Sequence, residues 1–199
     1  MLTPIQILNR TCNILSEIGV EYWLCNGTLL GIIRDGKLIP WDNDLDIAIY
    51  KGNVRNRVIN ALISDGFLLI DDGDESSYVT FVLDNQKVDI NFFEINNHVL
   101  ESIWKVNRLS GVRGLLTKII LKFGFQVPKM NFMWEFEGYS VPREAIFPLK
   151  SIQIGENNYR VPHNSKQVLE HTYGKGWRIP KRNYDWRSEG ANNVKKSKF

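Results

Sequence analysis

Three aspartates, Asp42, Asp44 and Asp46, take every second position of W-D-N-D-L-D-I-A-I-Y (residues 41 to 50). On an extended chain alternate side chains share one face about 6.5 Å apart, so carboxylates at this spacing converge and repel unless a cation lies between them. They run into apolar Ile47, Ala48 and Ile49, which sets them at the mouth of a buried strand. Another acid, Asp89, lies in V-D-I-N-F-F, where Val88, Ile90 and Phe92 take one face and Asp89 and Asn91 the other. An unpaired carboxylate on a core strand is costly to bury. Either Asp89 pairs with a nearby arginine, or acids from two strands cage a hard divalent cation such as Mg²⁺. Two such ions about 3.5–4 Å apart clamp the attacking and leaving oxygens of a phosphoryl displacement.

The elements around these acids follow from local patterning. Thr3-Pro4-Ile5-Gln6 reads as a helix start with a capping box, and Leu8, Leu15 and Ile18 form its apolar stripe up to Gly19. Y-W-L-C (22 to 25) is a short buried strand that meets Asn26-Gly27-Thr28, and Leu29 to Arg34 form a short helix closed by Asp35-Gly36. Glycine at such a strand-to-helix junction permits close backbone approach, and helix N–H groups there favour phosphate. Leu45 to Tyr50 is a strand, residues 54 to 66 an amphipathic helix, and 77 to 84 and 87 to 95 a hairpin-like pair of strands. Helices alternating with strands in this order give an α/β (α+β) fold, a mixed β-sheet flanked by helices.

The bulk properties suit one soluble catalytic unit across residues 1 to 199, with 100 to 140 as an inserted helical lid and 185 to 199 as a basic tail. Twenty-five Lys plus Arg against 22 Asp plus Glu leave +3, too balanced to indicate nucleic-acid binding. Cys12 and Cys25 read as small core residues rather than a disulfide. The N-terminus lacks a basic start and apolar core, and the expected location is cytoplasmic. His163 and His171 have no ligand spacing around them, Lys175 sits in a Gly-rich aromatic turn, and no Walker A loop, Rossmann fingerprint or G-x-S-x-G occurs.

Gly27-Thr28, then D-x-D sixteen residues on, then a single strand Asp reproduces the pattern of the nucleotidyltransferase fold. The resemblance extends further. N-G-T-L-L-G-I-I-R-D-G-K-L-I-P-W-D-N-D-L-D-I-A-I resembles the signature block of the LicD/fukutin family, in which G-T-L-L-G, an Arg and P-W-D-x-D-x-D occur in this order. F-P-L-K (147 to 150), V-P-H-N (161 to 164) and Y-G-K-G-W-R-I-P (173 to 180) resemble its later elements. Asn43 replaces an acid often seen there, and residues 100 to 140 match nothing in the pattern.

This resemblance implies a Mg²⁺-dependent phosphotransferase, with two ions and Mn²⁺ as an alternative. It would move a phosphoryl-linked substituent (phosphocholine, polyol phosphate or phosphonate) from a cytidine-nucleotide-linked donor to a hydroxyl of a cell-surface glycan or lipid-linked glycan, releasing CMP. Lipopolysaccharide, capsule or teichoic acid are the polymers in view. By position, Asp44, Asp46 and Asp89 would be the catalytic metal ligands. Gly27 and Thr28 would contact donor phosphate, Arg34 and Lys37 would neutralise the departing nucleotide, Asp42 would orient the metal shell or acceptor, and Trp41 would wall the base or sugar pocket or lock the turn. The alternatives are an ordinary nucleotidyltransferase that passes NMP to a hydroxyl and releases pyrophosphate, a sugar-nucleotide glycosyltransferase, and a non-catalytic basic module for anionic polymer or membrane. Residues 106 to 125 place Arg108, Lys118 and Lys122 on one side of a helix, near Lys105. With Lys195, Lys196 and Lys198 they give either a solvated lid or reversible attachment to the anionic inner face of a membrane.

Overall fold

Asp44 and Asp46 of the first motif and Asp89 of the second lie on two parallel neighbouring strands near the middle of one sheet, with Asp42 two residues before the first of them. The computed structural model describes residues 1–72, 77–106, 135–190 and 193–197. Helix α1 (Pro4–Glu17) starts where Gln6 Oε1 accepts the Thr3 N–H at 2.8 Å, and Gly19 at φ +67° ends the turn beyond it. Its buried stripe, Ile7, Leu8, Thr11, Cys12, Ile14 and Leu15, lies against the sheet. Strand β1 (Tyr22–Leu24) runs antiparallel to β2 (Asp44–Tyr50), and helix α2 (Asn26–Asp35) joins them. Helix α3 (Arg55–Ser64), β3 (Leu68–Asp71), β4 (Tyr78–Leu83) and β5 (Gln86–Asn96) complete the first unit.

β5 organises the sheet. Its first half lies parallel to β2, with Asp46 opposite Asp89, and antiparallel to β4, with Thr80 opposite Asp89. Asp84 and Asn85 turn the β4–β5 hairpin at φ +49° and +69°, left-handed values that short polar side chains tolerate. The last residues of β5 pair with β6 (Val99–Val106), which continues antiparallel through β7 (Glu135–Pro142) to β10 (Asn193–Ser197). Helix α4 (Arg143–Ile146), the separate β8–β9 hairpin (Lys150–Ile154 and Asn157–Val161), α5 (Ser165–Tyr173) and α6 (Trp186–Glu189) close the described chain.

Trp23 sits at the centre of the core, with ring centroids 5.5 Å from Phe93 and 5.7 Å from Phe147. Because Leu45, Ile47, Val88, Ile90 and Phe92 are all buried, β2 and β5 have no register freedom, and a one-residue slip would turn the apolar set outward. Cys12 and Cys25 are buried free thiols, as read from the sequence.

Three expectations are refined. α2 begins at Asn26 rather than Leu29, so Asn26-Gly27-Thr28 is the first helical turn and not a loop before it. The two ends of the expected lid over 100 to 140, residues 100–106 and 135–140, belong instead to β6 and β7, whose paired backbones extend the sheet, and the stretch between them lies outside the described residues. The expected tail from 185 contains α6 and β10. Most of the basic segment 106 to 125, together with Lys198, lies outside the described residues. No helix among the described residues is long and apolar enough to cross a membrane.

Candidate active site

Asp46 is held on three sides. Its backbone N–H donates to Thr28 Oγ1 at 2.7 Å, and its carbonyl accepts from Cys25 N at 3.3 Å, which pins the start of β2 to the first turn of α2. Its carboxylate faces that helix start. Asn26 Nδ2 at 3.2 Å and Asn91 Nδ2 at 3.4 Å both donate to Oδ1, and the Gly27 N–H donates to Oδ2 at 3.3 Å. A carboxylate at a helix N-terminus is favoured by the unsatisfied N–H groups and the positive dipole end. Asn26 is positioned for this by φ +45°, and its Nδ2 also donates to the Tyr139 hydroxyl of β7 at 3.1 Å.

Asp42 sits across from Asp46. A Cβ added to Gly27 would lie 2.1 Å from Asp42 Oδ2 and 3.7 Å from Asp46 Oδ2, so glycine is the residue that lets both carboxylates approach the helix start. Asp42 is exposed as a residue, but its carboxyl is tucked against this backbone. Burial, then the hydrogen bond and charge of Asp44, push it up to about 7. Burial, then the charges of Asp44 and Asp89, push Asp46 well above its ordinary value, with the Asn26 hydrogen bond opposing. Asp89 is raised by burial, with the Thr80 hydrogen bond opposing and the Asp44 charge adding. Its Oδ1 is buried and accepts no hydrogen bond among the described residues.

Of the residues singled out by sequence, the structure gathers Gly27, Thr28, Asp42, Asp44, Asp46 and Asp89. Thr28 has a different contact from the donor phosphate expected of it, being 2% exposed with its hydroxyl oxygen accepting the Asp46 N–H. Arg34 lies seven residues along α2 from Gly27, about 10 Å at 1.5 Å per residue. There its guanidinium forks onto Asp35 at 2.9 and 2.7 Å. The Lys37 charge also acts on Asp35. Trp41 is 37% exposed, with the Arg182 guanidinium 5.1 Å from its ring centroid. His171 Nε2 is 2.9 Å from the Ser140 carbonyl oxygen, on β7.

Sequence reasoning passed over Asn26, Asn91, Tyr139, Tyr173 and Arg182. Asn91 was visible as the polar partner of Asp89 on one face of β5. The tyrosines come from β7 and α5, more than ninety residues away, and nothing local marks them. Both hydroxyls are raised well above the ordinary value, by burial first; for Tyr139 the charges of Cys25 and Asp46 follow, and for Tyr173 that of Asp46.

The donor set is all hard oxygen, which suits Mg²⁺ or Mn²⁺ and not a soft ion. A divalent cation among Asp44, Asp46 and Asp89 would engage the orphaned Asp89 Oδ1 and relieve the mutual repulsion that raises Asp46. As the side chains stand, no group of three or more His, Cys, Asp or Glu among the described residues is arranged to hold a metal, with Asp46 turned onto Asn26, Asn91 and Gly27.

Comparison with known proteins gives an independent view. Residues 19–164 match the family model described as LicD/FKTN/FKRP, nucleotidyltransferase domain. The chain is 27% identical over 195 residues to ribitol-5-phosphate transferase FKTN of Homo sapiens, covering 94% of this chain and 36% of that protein. It is 27% identical over 167 residues to ribitol 5-phosphate transferase FKRP of Mus musculus, covering 82% of this chain and 29% of that protein. It therefore spans about a third of the length of these curated relatives. Among solved structures, ANT(2")-Ia with adenylyl-2"-tobramycin superposes with a TM-score of 0.54 at 9% identity, over 94% of this chain and 84% of that one. The lincosamide antibiotic adenylyltransferase LnuA gives 0.50 at 14% identity, over 86% and 87%. At these identities the structures establish the nucleotidyltransferase fold and nothing finer.

Proposed function

The chain belongs to the LicD/FKTN/FKRP nucleotidyltransferase-domain family, and on that premise we propose that it transfers a phosphoryl-linked substituent from a cytidine-diphosphate-linked donor to a glycan hydroxyl, releasing CMP. The observation that carries this reading is the register of β2 against β5, which sets Asp46 beside Asp89 at the first turn of α2. Ribitol phosphate is the substituent favoured, because the similar FKTN and FKRP proteins are ribitol-phosphate transferases.

Asp44, Asp46 and Asp89 would hold Mg²⁺, which when bound supplies positive charge to the transferred phosphoryl group and the leaving oxygen. The remaining work falls to the chain. Asn26, Asn91 and the Gly27 N–H fix the Asp46 carboxylate, and the Thr28 hydroxyl fixes its backbone. Asp89 would also serve as the base, through the carboxylate oxygen that the ion leaves free, and burial raises its proton affinity. It takes the proton of the acceptor hydroxyl as that oxygen bonds to the substituent's phosphorus. The bond from this phosphorus to the CMP oxygen breaks, and CMP departs with the electron pair.

The test labels a CDP-linked donor at the substituent-side phosphorus. Label on the glycan together with free CMP is the expected result. Pyrophosphate release with cytidylate on the acceptor would replace this reading with nucleotidyl transfer.

A further inference from the structure

A diphosphate donor brings negative charge to a mouth that already carries Asp42, Asp44, Asp46 and Asp89, so the chain itself needs a cation there. Arg34 does not supply it, since its side chain is 7% exposed and tied to Asp35 at the far end of α2. The segment after α5 offers another. Trp177, 5% exposed, and Tyr184, whose ring lies 5.1 Å from that of Tyr173, anchor residues 174 to 184 against the wall whose Tyr173 hydroxyl feels Asp46 and Asp42. Two basic side chains on this segment face other partners: Lys181 pairs with Glu189 of α6, and Arg178 lies 4.3 Å over the ring of its own neighbour Trp177. Arg182 is different. It is exposed, no carboxylate among the described residues holds it, and it reaches out of its own segment to Trp41, the residue before Asp42.

A guanidinium 5.1 Å from an indole centroid is held there by cation–π attraction, which leaves its planar fork of N–H donors unspent. Such a fork, held at the rim of an acidic site, matches the oxygens of a phosphate in a way a lysine does not. We propose that Arg182, braced on Trp41, binds the diphosphate of the nucleotide donor, in the role that sequence position assigns to Arg34. This rests on the donor reading above, and the experiment separates the two.

Calorimetry with CDP, UDP, ADP and GDP in Mg²⁺ is run on the full chain and on R182A, R182K and W41A, with melting temperatures as the check on folding. Wild type binds CDP. R182A weakens CDP by about tenfold or more, the scale of a lost hydrogen bond to a charged group, with an unchanged melting temperature. R182K recovers only part of the loss, and W41A weakens CDP by about two- to fivefold through the lost brace. A smaller change than tenfold in a folded R182A protein overturns the assignment of Arg182. Preference for another diphosphate that R182A weakens equally upholds Arg182 and overturns the cytidine reading. Binding of none of the four overturns both.

Discussion

The first turn of α2 with the start of β2, and the segment from Tyr173 to Tyr184, face the same mouth but are built on different physics. In the first, directional bonds to Thr28 Oγ1, Cys25 N, Gly27 N, Asn26 and Asn91 fix Asp46 through both backbone and carboxylate. In the second, aromatic faces do the holding, Tyr173 on Tyr184 and Trp41 under Arg182, with ring contacts near 5.1 Å and broad orientational tolerance. Transition-state charge demands tenths of an ångström, whereas gripping a ligand's flexible phosphate does not. Under the proposed function, the division would give chemistry to the first region and recognition to the second.

The largest test of that division is removal of the acids. Asp46→Asn and Asp89→Asn each keep the shape of the side chain and remove a charge that its neighbours repel. Turnover should fall by about 100- to 1,000-fold, the scale for losing a preorganised electrostatic contact. The metal-free melting temperature should hold or rise, because a like charge has left the cluster. Steady-state CMP release alongside thermal melts measures both. A mutant with near-normal turnover would show that the carboxylate has no part in the chemistry.

The two glycines of G-T-L-L-G divide the same way. A Cβ at Gly31 meets backbone, Lys37 O at 2.6 Å and Ile39 N at 3.0 Å, which cannot swing aside, so Gly31→Ala should lose about 1–3 kcal/mol of stability. A Cβ at Gly27 clashes with the end of the Asp42 side chain alone, which can rotate outward, and meets Asp46 Oδ2 at an ordinary 3.7 Å. Gly27→Ala should melt within about 0.5 kcal/mol of wild type while its turnover drops, since Asp42 is driven from the cluster. Equal stability losses in the two variants, read by urea titration, would erase the distinction between a packing glycine and a site glycine.

How far these residues were legible follows from the same contrast. The acids, Gly27 and the strands that carry them were readable because period-two alternation in D-N-D-L-D-I-A-I and V-D-I-N-F-F encodes face and burial within a few residues. Helix α2 was read too short, since Asn26 and Gly27 are poor helix formers and only tertiary contact with Asp46 draws them into the first turn. Arg34 was named through the Arg of the family signature block, yet the helical rise carries it away from Gly27 and the adjacent Asp35 captures it. Tyr139 and Tyr173 left no local trace, because a buried hydroxyl beside Asp46 is a product of sheet order and of α5 packing on α2.

A smaller effect is the pH response of the metal-free protein. Asp42, Asp46 and Asp89 all have higher proton affinity in the folded chain than in the unfolded one, so the folded state binds more protons between the ordinary value and the raised one. Stability contributed by these groups is therefore full below the ordinary carboxylate range and declines as pH rises, through about 7 for Asp42. In chelator, the melting temperature should fall across this interval, and added Mg²⁺ should restore it most at the alkaline end. A melting temperature that rises with pH in chelator would mean that the acids are already compensated by the protein.

The smallest expected effect lies in the aromatic region and tests whether its hydroxyls matter at all. Tyr184 buries its oxygen with no hydrogen-bond partner among the described residues, while its ring packs on Tyr173. Tyr139 places its oxygen where Asn26 Nδ2 donates to it at 3.1 Å, in the shell that orients Asp46. Removing an unsatisfied buried hydroxyl relieves a desolvation penalty, whereas removing a satisfied one leaves its partner short of an acceptor. Tyr184→Phe should therefore leave stability unchanged or raise it by up to about 1 kcal/mol, with CDP affinity as in wild type. Tyr139→Phe should lower turnover by freeing Asn26 to rotate away from Asp46, with the ring still packed 5.4 Å from Phe93. Should Tyr184→Phe destabilise by more than 1 kcal/mol in urea titration, its hydroxyl holds a directional contact of its own. The recognition region would then be built by the same bonds as the catalytic one.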